Sequence, residues 1–194
     1  MKKKIESAEL TNTGFGFDIY KRTVELNLID DKGRKRENSD VVFDVISLEQ
    51  PIHFEELCRR VATLFGRQKA TSVVRDEVEG ILYLELDELV MIDESNFIRL
   101  KEWDDVKVRK PNPDDDYLRP IAYICDEEIE LAMKTIVSQS FGITPEDLFI
   151  VVTREFGYKR TSENIISSLS NVYNKILEKG DFVEIEGKVK LKEE

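Results

Sequence analysis

The feature that most constrains this fold is an internal repeat at an offset of 91 residues. Residues 42–74 and 133–165 align without a gap and share seven identical residues in 33 positions. The identical pairs are Ser47 with Ser138, Ile52 with Ile143, Glu55 with Glu146, Leu57 with Leu148, Val61 with Val152, Phe65 with Phe156, and Gly66 with Gly157. A chain that repeats one supersecondary unit is expected to fold as two copies of it.

The second copy carries the clearer secondary-structure signals. Apolar residues at helical spacing predict a helix over 126–141 that stops at Gly142, a second from Pro145 to Gly157, and a third from about Ser162 to Gly180. Thr144 and Pro145 are typical of a helix start, as N-cap and first helical residue. Alternating apolar residues around Glu186 and Gly187 predict a β-hairpin.

The first copy follows the same plan. Its helices are predicted over 39–48, over 54–65 and from about Thr71, followed by a hairpin of Val90 to Ile92 and Phe97 to Leu100. Three helices and a terminal hairpin make a winged helix, so we predict a mainly α (α+β) protein of two tandem winged-helix units. The predicted divisions are an N-terminal extension (1–36), unit 1 (37–102), an acidic, proline-containing linker (103–124) and unit 2 (125–194).

The N-terminal extension has no strong period. Its apolar residues predict an extended segment that packs on the first unit; they are Phe15, Phe17, Ile19, Tyr20, Val24 and Leu26.

Composition excludes several classes of protein. The 194 residues carry a net charge of -11, which rules out a wholly basic nucleic-acid clamp. Cys58, Cys125 and His53 are too few for a tetrahedral zinc site or a disulfide framework. No apolar run long enough to cross a membrane occurs, and none follows the basic start MKKK as in a signal peptide. We expect a reduced, cytoplasmic protein without membrane contact.

One stretch reverses the sign of the charge. Residues 57–75 contain five cations and no acid, in the region of the first copy that precedes and opens its third helix. In a helix-turn-helix this region meets phosphates and the major groove. The residues expected to contact nucleic acid here are Arg59, Arg60, Arg67, Lys69, Thr71, Ser72 and Arg75. The alternative is that Arg59 and Arg60 lie on a solvated helix face and pair with Glu55, Glu56 or Asp76.

The second copy has fewer cations but a less acidic third helix. Lys159, Arg160 and Ser162 precede that helix, and polar side chains line its outer side. Ser and Asn side chains hydrogen-bond bases or phosphates, so we expect nucleic acid to contact Lys159, Arg160, Ser162 and Asn171. Such residues are also ordinary surface residues, and this alternative stays open.

No catalytic constellation is evident. A Glu186-Gly187-Lys188 tripeptide resembles part of a metal-dependent nuclease motif, but a Glu-Gly pair also simply makes a hairpin turn. His53 aligns with Thr144, which predicts that it caps or flanks a helix rather than acting as a base. We therefore expect no enzyme activity, cofactor or metal in this chain.

Short motifs spread over residues 40–191 form a recognisable set. They are Pro51-Ile52-His53, Leu57, Arg60, Phe65-Gly66, Lys69, Val108-Arg109, Glu127-Glu128-Ile129, Leu148, Arg154, Phe156-Gly157-Tyr158 and Arg160. With these motifs the chain resembles domain-of-unknown-function family 3320. Lys69 stands where the family usually has Arg, and Thr71 where Gly or Ser is common. The resemblance implies a noncatalytic C-terminal module of large proteins that join a superfamily-1 helicase-like ATPase to a Vsr-like endonuclease.

These observations give two hypotheses. The first is a noncatalytic module that binds nucleic acid, with duplex DNA as the expected ligand, and works with that ATPase and nuclease in cis or in trans. The second is a protein-interaction module that docks a helicase or nuclease partner without touching DNA, because most of the remaining surface is acidic.

Overall fold

The first unit combines three helices with a small sheet. A computed structural model of the chain describes residues 15 to 192. The elements of the first unit are α1 (Asn38–Glu49), β2 (Ile52–His53), α2 (Phe54–Leu64), α3 (Ser72–Leu84), β3 (Val90–Ile92) and β4 (Phe97–Leu100), after a short β1 (Asp18–Ile19). Strands β2, β4 and β3 form an antiparallel sheet in that order.

The second unit repeats this order of elements. It consists of α4 (Asp126–Ser138), α5 (Pro145–Glu155), α6 (Glu163–Lys179), β6 (Phe182–Ile185) and β7 (Lys188–Leu191). Strands β6 and β7 form the hairpin, and an isolated bridge joins Ile143 to Val189 of β7. The described part of the chain is thus an α+β protein with six α-helices and short strands.

The structural correspondence follows the sequence offset of 91. Helices α2 and α5 coincide at both ends after the shift, as do β4 and β7. The pair Ile52 and Ile98 becomes the pair Ile143 and Val189. The helix starts also match: His53 Nδ1 accepts the Glu55 N–H, and Thr144 Oγ1 accepts the Asp147 N–H. The predicted capping role of His53 is therefore confirmed.

Each unit has its own apolar core. Equivalent leucines, Leu57 and Leu148, are both fully buried. The main helix residues of the first core are Val42, Val45, Ile46, Leu57, Val61, Val74, Val78 and Leu82. Those of the second are Ile129, Met133, Ile136, Leu148, Val152, Ile165, Leu169, Val172 and Ile176. The helix α4 ends at Ser138, three residues before the predicted end, and a loop leads from it to Gly142.

The extension before α1 packs on both units, which corrects one expectation. Leu26 packs against the first core as predicted, but Phe15 and Phe17 pack against the second. The reason is backbone pairing: β1 runs parallel to β5 (Arg109–Lys110), which lies in the predicted linker and leads into the second unit. The segment 15–30 therefore bridges the two units.

A buried ionic network lies where the units meet; we call it the junction network. Its centre is Glu128, which has no exposed surface. Arg119 Nη2 lies 2.6 Å from Glu128 Oε1, and Arg109 Nη2 lies 2.7 Å from Oε2. Arg109 also donates to the carbonyl oxygens of Glu49, at 2.7 Å, and Pro51, at 3.1 Å. One arginine thus connects α4 to the end of α1.

The network continues into the first unit. Glu49 is buried and accepts hydrogen bonds from the Tyr20 hydroxyl, the Thr23 amide and Arg60 Nε. The two arginines beside Glu128 hold the pKa of that carboxyl below its usual value, against the opposing effect of burial. Burial and the Glu49 carboxylate raise the pKa of Tyr20, so that it remains a neutral donor.

Replacing Glu128 tests the weight of this network. We expect Glu128→Gln to lower the free energy of unfolding by about 3–5 kcal/mol, because it leaves the buried Arg119 and the largely buried Arg109 without a counter-charge. Urea denaturation measures the change. The neighbouring Glu127→Gln is the matched control: Glu127 forms a more exposed ion pair with Arg99, and its loss should cost about 1 kcal/mol or less. Equal effects of the two variants would contradict a structural role for Glu128.

The same carboxyl makes stability depend on pH. The pKa of Glu128 is lower in the folded protein than its ordinary value of 4.5. Its stabilisation is therefore fully present above pH 4.5 and is lost as the pH falls through the folded-state pKa. We expect the unfolding free energy of Glu128→Gln to fall less steeply with acid than that of the natural chain, as measured by urea denaturation across the acidic range. Parallel pH profiles would show that Glu128 does not contribute in this way.

Candidate nucleic-acid interface

The cationic stretch of the first unit is largely neutralised by the fold. Arg60 is only 4% exposed, lies 3.0 Å from Glu49 through Nε, and also pairs with Glu56. The expectation that Arg60 contacts nucleic acid is corrected: it faces inward and belongs to the junction network. The predicted alternative, in which Arg60 pairs with Glu56, fits the structure better. Arg60 is buried, however, and does not lie on a solvated helix face.

Three further arginines of this stretch are paired with carboxylates; Arg59 and Arg67 are exposed, and Arg75 is half-buried. Arg75 Nη2 lies 2.8 Å from Glu55 Oε2, and Arg67 Nη1 lies 3.7 Å from Glu77. Arg59 pairs with Glu56 at 3.2 Å and lies over the ring of Tyr123. A phosphate would have to compete with these carboxylates for each guanidinium.

The start of α3 and its outer face complete the first-unit surface. Lys69 is exposed and has no ion pair among residues 15–192. Thr71 is the N-cap and Ser72 opens the helix, both exposed. Exposed acids follow on the same helix, Asp76 and Glu79. Large apolar side chains accompany them: Val73, Tyr83 and Leu84. The outward surface of α3 is therefore acidic and apolar.

The second unit presents a different surface before and along α6. Lys159 and Arg160 are exposed, and neither has an ion pair within the described part of the chain. Ser162 is the N-cap of α6; it is exposed and makes no side-chain capping bond. The exposed hydroxyl and amide side chains along α6 are Asn164, Ser167, Asn171 and Asn174, with Glu163 and Glu178 as exposed acids at its two ends.

Sequence reasoning missed a second group of cations, on the hairpin. Lys188 and Lys190 are exposed on either side of the buried Val189. Phe141, in the loop after α4, is fully exposed. The alternation of Lys with apolar residues from 188 to 192 indicates a strand with one solvent-exposed, cationic face. The sequence gives no sign that the loop with Phe141 lies beside this strand; the fold brings the two together.

The side chains that could act as nucleophiles or metal ligands, Cys58, Cys125 and His53, are buried or packed against other residues. Burial raises the pKa of Cys58 and of Cys125 to about 12, which leaves both thiols protonated. Burial lowers the pKa of His53, whose ring stacks on Tyr123 at 4.4 Å between centroids. Within residues 15–192, His, Cys, Asp and Glu side chains form no group of three or more arranged to hold a metal ion. No described helix is both long and apolar enough to cross a membrane.

Comparisons with known proteins give no match. No protein-family model, no curated protein and no solved structure is similar enough to the chain to count as a relative. The resemblance to domain-of-unknown-function family 3320 therefore stays an expectation, and the function must be inferred from the geometry of the surface residues.

Proposed function

We propose that this protein is a noncatalytic nucleic-acid-binding module of two winged-helix units, in which the second unit contacts duplex DNA. The observation that carries the proposal is the pair of unpaired cations, Lys159 and Arg160, ahead of a helix whose outer face bears amides and hydroxyls. The first unit lacks this combination, because its arginines are held by carboxylates.

The order of elements supports this assignment of roles. In helix-turn-helix proteins the second helix of the pair lies in the major groove, and its N-terminal residues contact the backbone and the bases. Here α5 and α6 form the pair. Lys159 and Arg160 would hold phosphates, with the Ser162 hydroxyl and the first amides of α6 as further donors. Asn171 and Asn174 would face base edges, where an Asn side chain pairs with adenine.

The overall charge limits the strength of such binding. A net charge of -11 repels DNA at long range, so contact must come from the local surface of the second unit. Each phosphate neutralised contributes about -0.9 to the slope of log affinity against log salt. Two cations therefore support modest binding with a slope of about -2.

The resemblance to family 3320 supports a cellular context for the module. In that context the chain is cytoplasmic and delivers or holds DNA for a superfamily-1 helicase-like ATPase and a Vsr-like endonuclease, in cis or in trans. The chemical steps belong to those proteins or domains, and this chain contributes affinity and position.

Charge reversal in the two units separates their roles. We expect Lys159→Glu combined with Arg160→Glu to reduce duplex affinity at low salt by about tenfold or more, because two phosphate contacts become repulsive. The matched control is Arg67→Glu with Lys69→Glu, the equivalent region of the first unit, which should change affinity much less. Fluorescence anisotropy with a labelled duplex measures both. A larger loss in the first-unit variant would overturn the assignment to the second unit.

The alternative is a docking module for a protein partner, and one observation favours it. The outer face of α3 combines exposed Val73, Tyr83 and Leu84 with the acids Asp76 and Glu79. Such a surface suits a basic amphipathic segment. A chain that binds no duplex at low salt, and co-purifies with a large ATPase only while Asp76 and Glu79 are intact, would favour this alternative.

A further inference from the structure

The loop after α4 and the strand β7 form an exposed surface of their own. Phe141 is fully exposed and precedes Gly142, whose φ is +105°. A Cβ added at Gly142 would lie 3.2 Å from Lys188 Cδ and 3.6 Å from Lys190 Cε. The stems of both lysines therefore lie over the backbone beside Phe141. We call Phe141, Lys188 and Lys190 the hairpin face.

The repeat shows what the equivalent face does in the first unit. After the shift of 91 residues, Lys188 corresponds to Phe97 and Lys190 to Arg99. Arg99 Nη1 lies 3.2 Å from Glu127 Oε1 across the junction between the units. The ring of His53 lies between Phe97 and Tyr123. In the first unit this face is thus covered by an aromatic ring and an anion.

In the second unit no residue from 15 to 192 covers the equivalent face, and the residue types on that face differ from those in the first unit. A cation replaces Phe97, and the exposed ring of Phe141 replaces Gln50. Lys188 and Lys190 have no ion pair in the described structure, and Lys192 continues the alternation. Alternate residues of a strand are about 6.7 Å apart, so these cations form a regular row.

A regular row of cations beside an exposed ring matches the chemistry of a nucleic-acid strand. Its phosphates form a regular row of anions, and its unpaired bases offer flat faces to an aromatic ring. A fully paired duplex offers the phosphates but keeps its bases stacked inside, where Phe141 cannot reach them. The combination therefore favours a strand with unpaired bases over a duplex.

We propose that the hairpin face binds a single nucleic-acid strand, with Phe141 stacked on an unpaired base and Lys188 and Lys190 along the phosphates. This inference takes its ligand class from the proposed function but uses a different surface. The preferred ligand is then nucleic acid that contains an unpaired stretch.

Substitution of Phe141 tests the stacking. We expect Phe141→Ala to weaken binding of a labelled oligothymidylate by about tenfold in fluorescence anisotropy, as loss of one base–aromatic stack does. Phe141→Leu keeps apolar bulk without a ring face and should be as weak as Phe141→Ala. Phe141→Trp should bind like the natural chain. Leu48→Ala removes another exposed apolar side chain, 64% exposed in the first unit, and should have no effect.

Charge reversal tests the phosphate contacts. We expect Lys188→Glu with Lys190→Glu to weaken oligothymidylate binding and to reduce its salt slope by about 1.4, since each contact to a single strand contributes about 0.7. Because these side chains and Phe141 are exposed, the variants should keep the thermal unfolding midpoint of the natural chain.

The failure of this inference can be told apart from failure of the duplex proposal. Duplex binding that depends on Lys159 and Arg160, with oligothymidylate binding indifferent to Phe141, would overturn the hairpin inference alone. The reverse pattern would overturn the duplex proposal alone. Binding of phosphatidylserine vesicles that survives Phe141→Leu, without affinity for oligothymidylate, would identify a membrane surface. Preferential binding of an acidic peptide such as residues 119–130 of this chain would identify a protein-docking surface. Either result would overturn the inference.

Discussion

The structure depends on one buried carboxylate, Glu128, held by two arginines at the point where the units meet. Arg119 neutralises it from the segment that precedes α4. Arg109 pairs with it and also binds carbonyl oxygens at the end of α1. Because Arg119 is buried and Arg109 largely so, both would be costly charges without Glu128, and the three groups stabilise one arrangement of the segments around them. In this arrangement Glu127 pairs with Arg99 and Tyr123 stacks on His53, which covers the strand surface of the first unit. The equivalent surface of the second unit, the hairpin face, is exposed.

The consequence for function is an asymmetry between two copies of one unit. In the first, cations serve internal contacts: Arg60 is buried against Glu49, and Arg75 is held by Glu55. In the second, Lys159, Arg160 and Lys188 face solvent without carboxylate partners in the described part of the chain. A protein with a net charge of -11 can therefore still present local cationic surfaces. The two surfaces proposed to bind nucleic acid, Lys159 with Arg160 and the hairpin face, both lie on the second unit.

Local sequence signals predicted most of the secondary structure. Apolar periodicity, the Thr144-Pro145 start and the turn at Glu186 and Gly187 are encoded within a few residues, and the elements they predict are present. Pairing of arginines with Glu55 or Glu56 was an alternative that the sequence left open, but local signals could not decide between it and phosphate binding. The stretch 57–75 contains no acid, but Glu55 and Glu77 lie just outside it and fold back onto Arg75 and Arg67. A sum of charges along the chain does not include partners that a neighbouring helix supplies. In the same way, the sequence does not show that the fold places Phe141 near Lys188 and Lys190.

We propose that nucleic acid contacts the second unit and not the cationic stretch of the first. Backbone amide NMR spectra of the isotope-labelled chain, titrated with a duplex that carries a single-stranded extension, test it most directly. We expect shift changes at residues 159–174 and around Phe141 and Lys188 to Lys192, with residues 57–75 unchanged. Changes confined to residues 57–75, or no changes anywhere at low salt, would contradict the account.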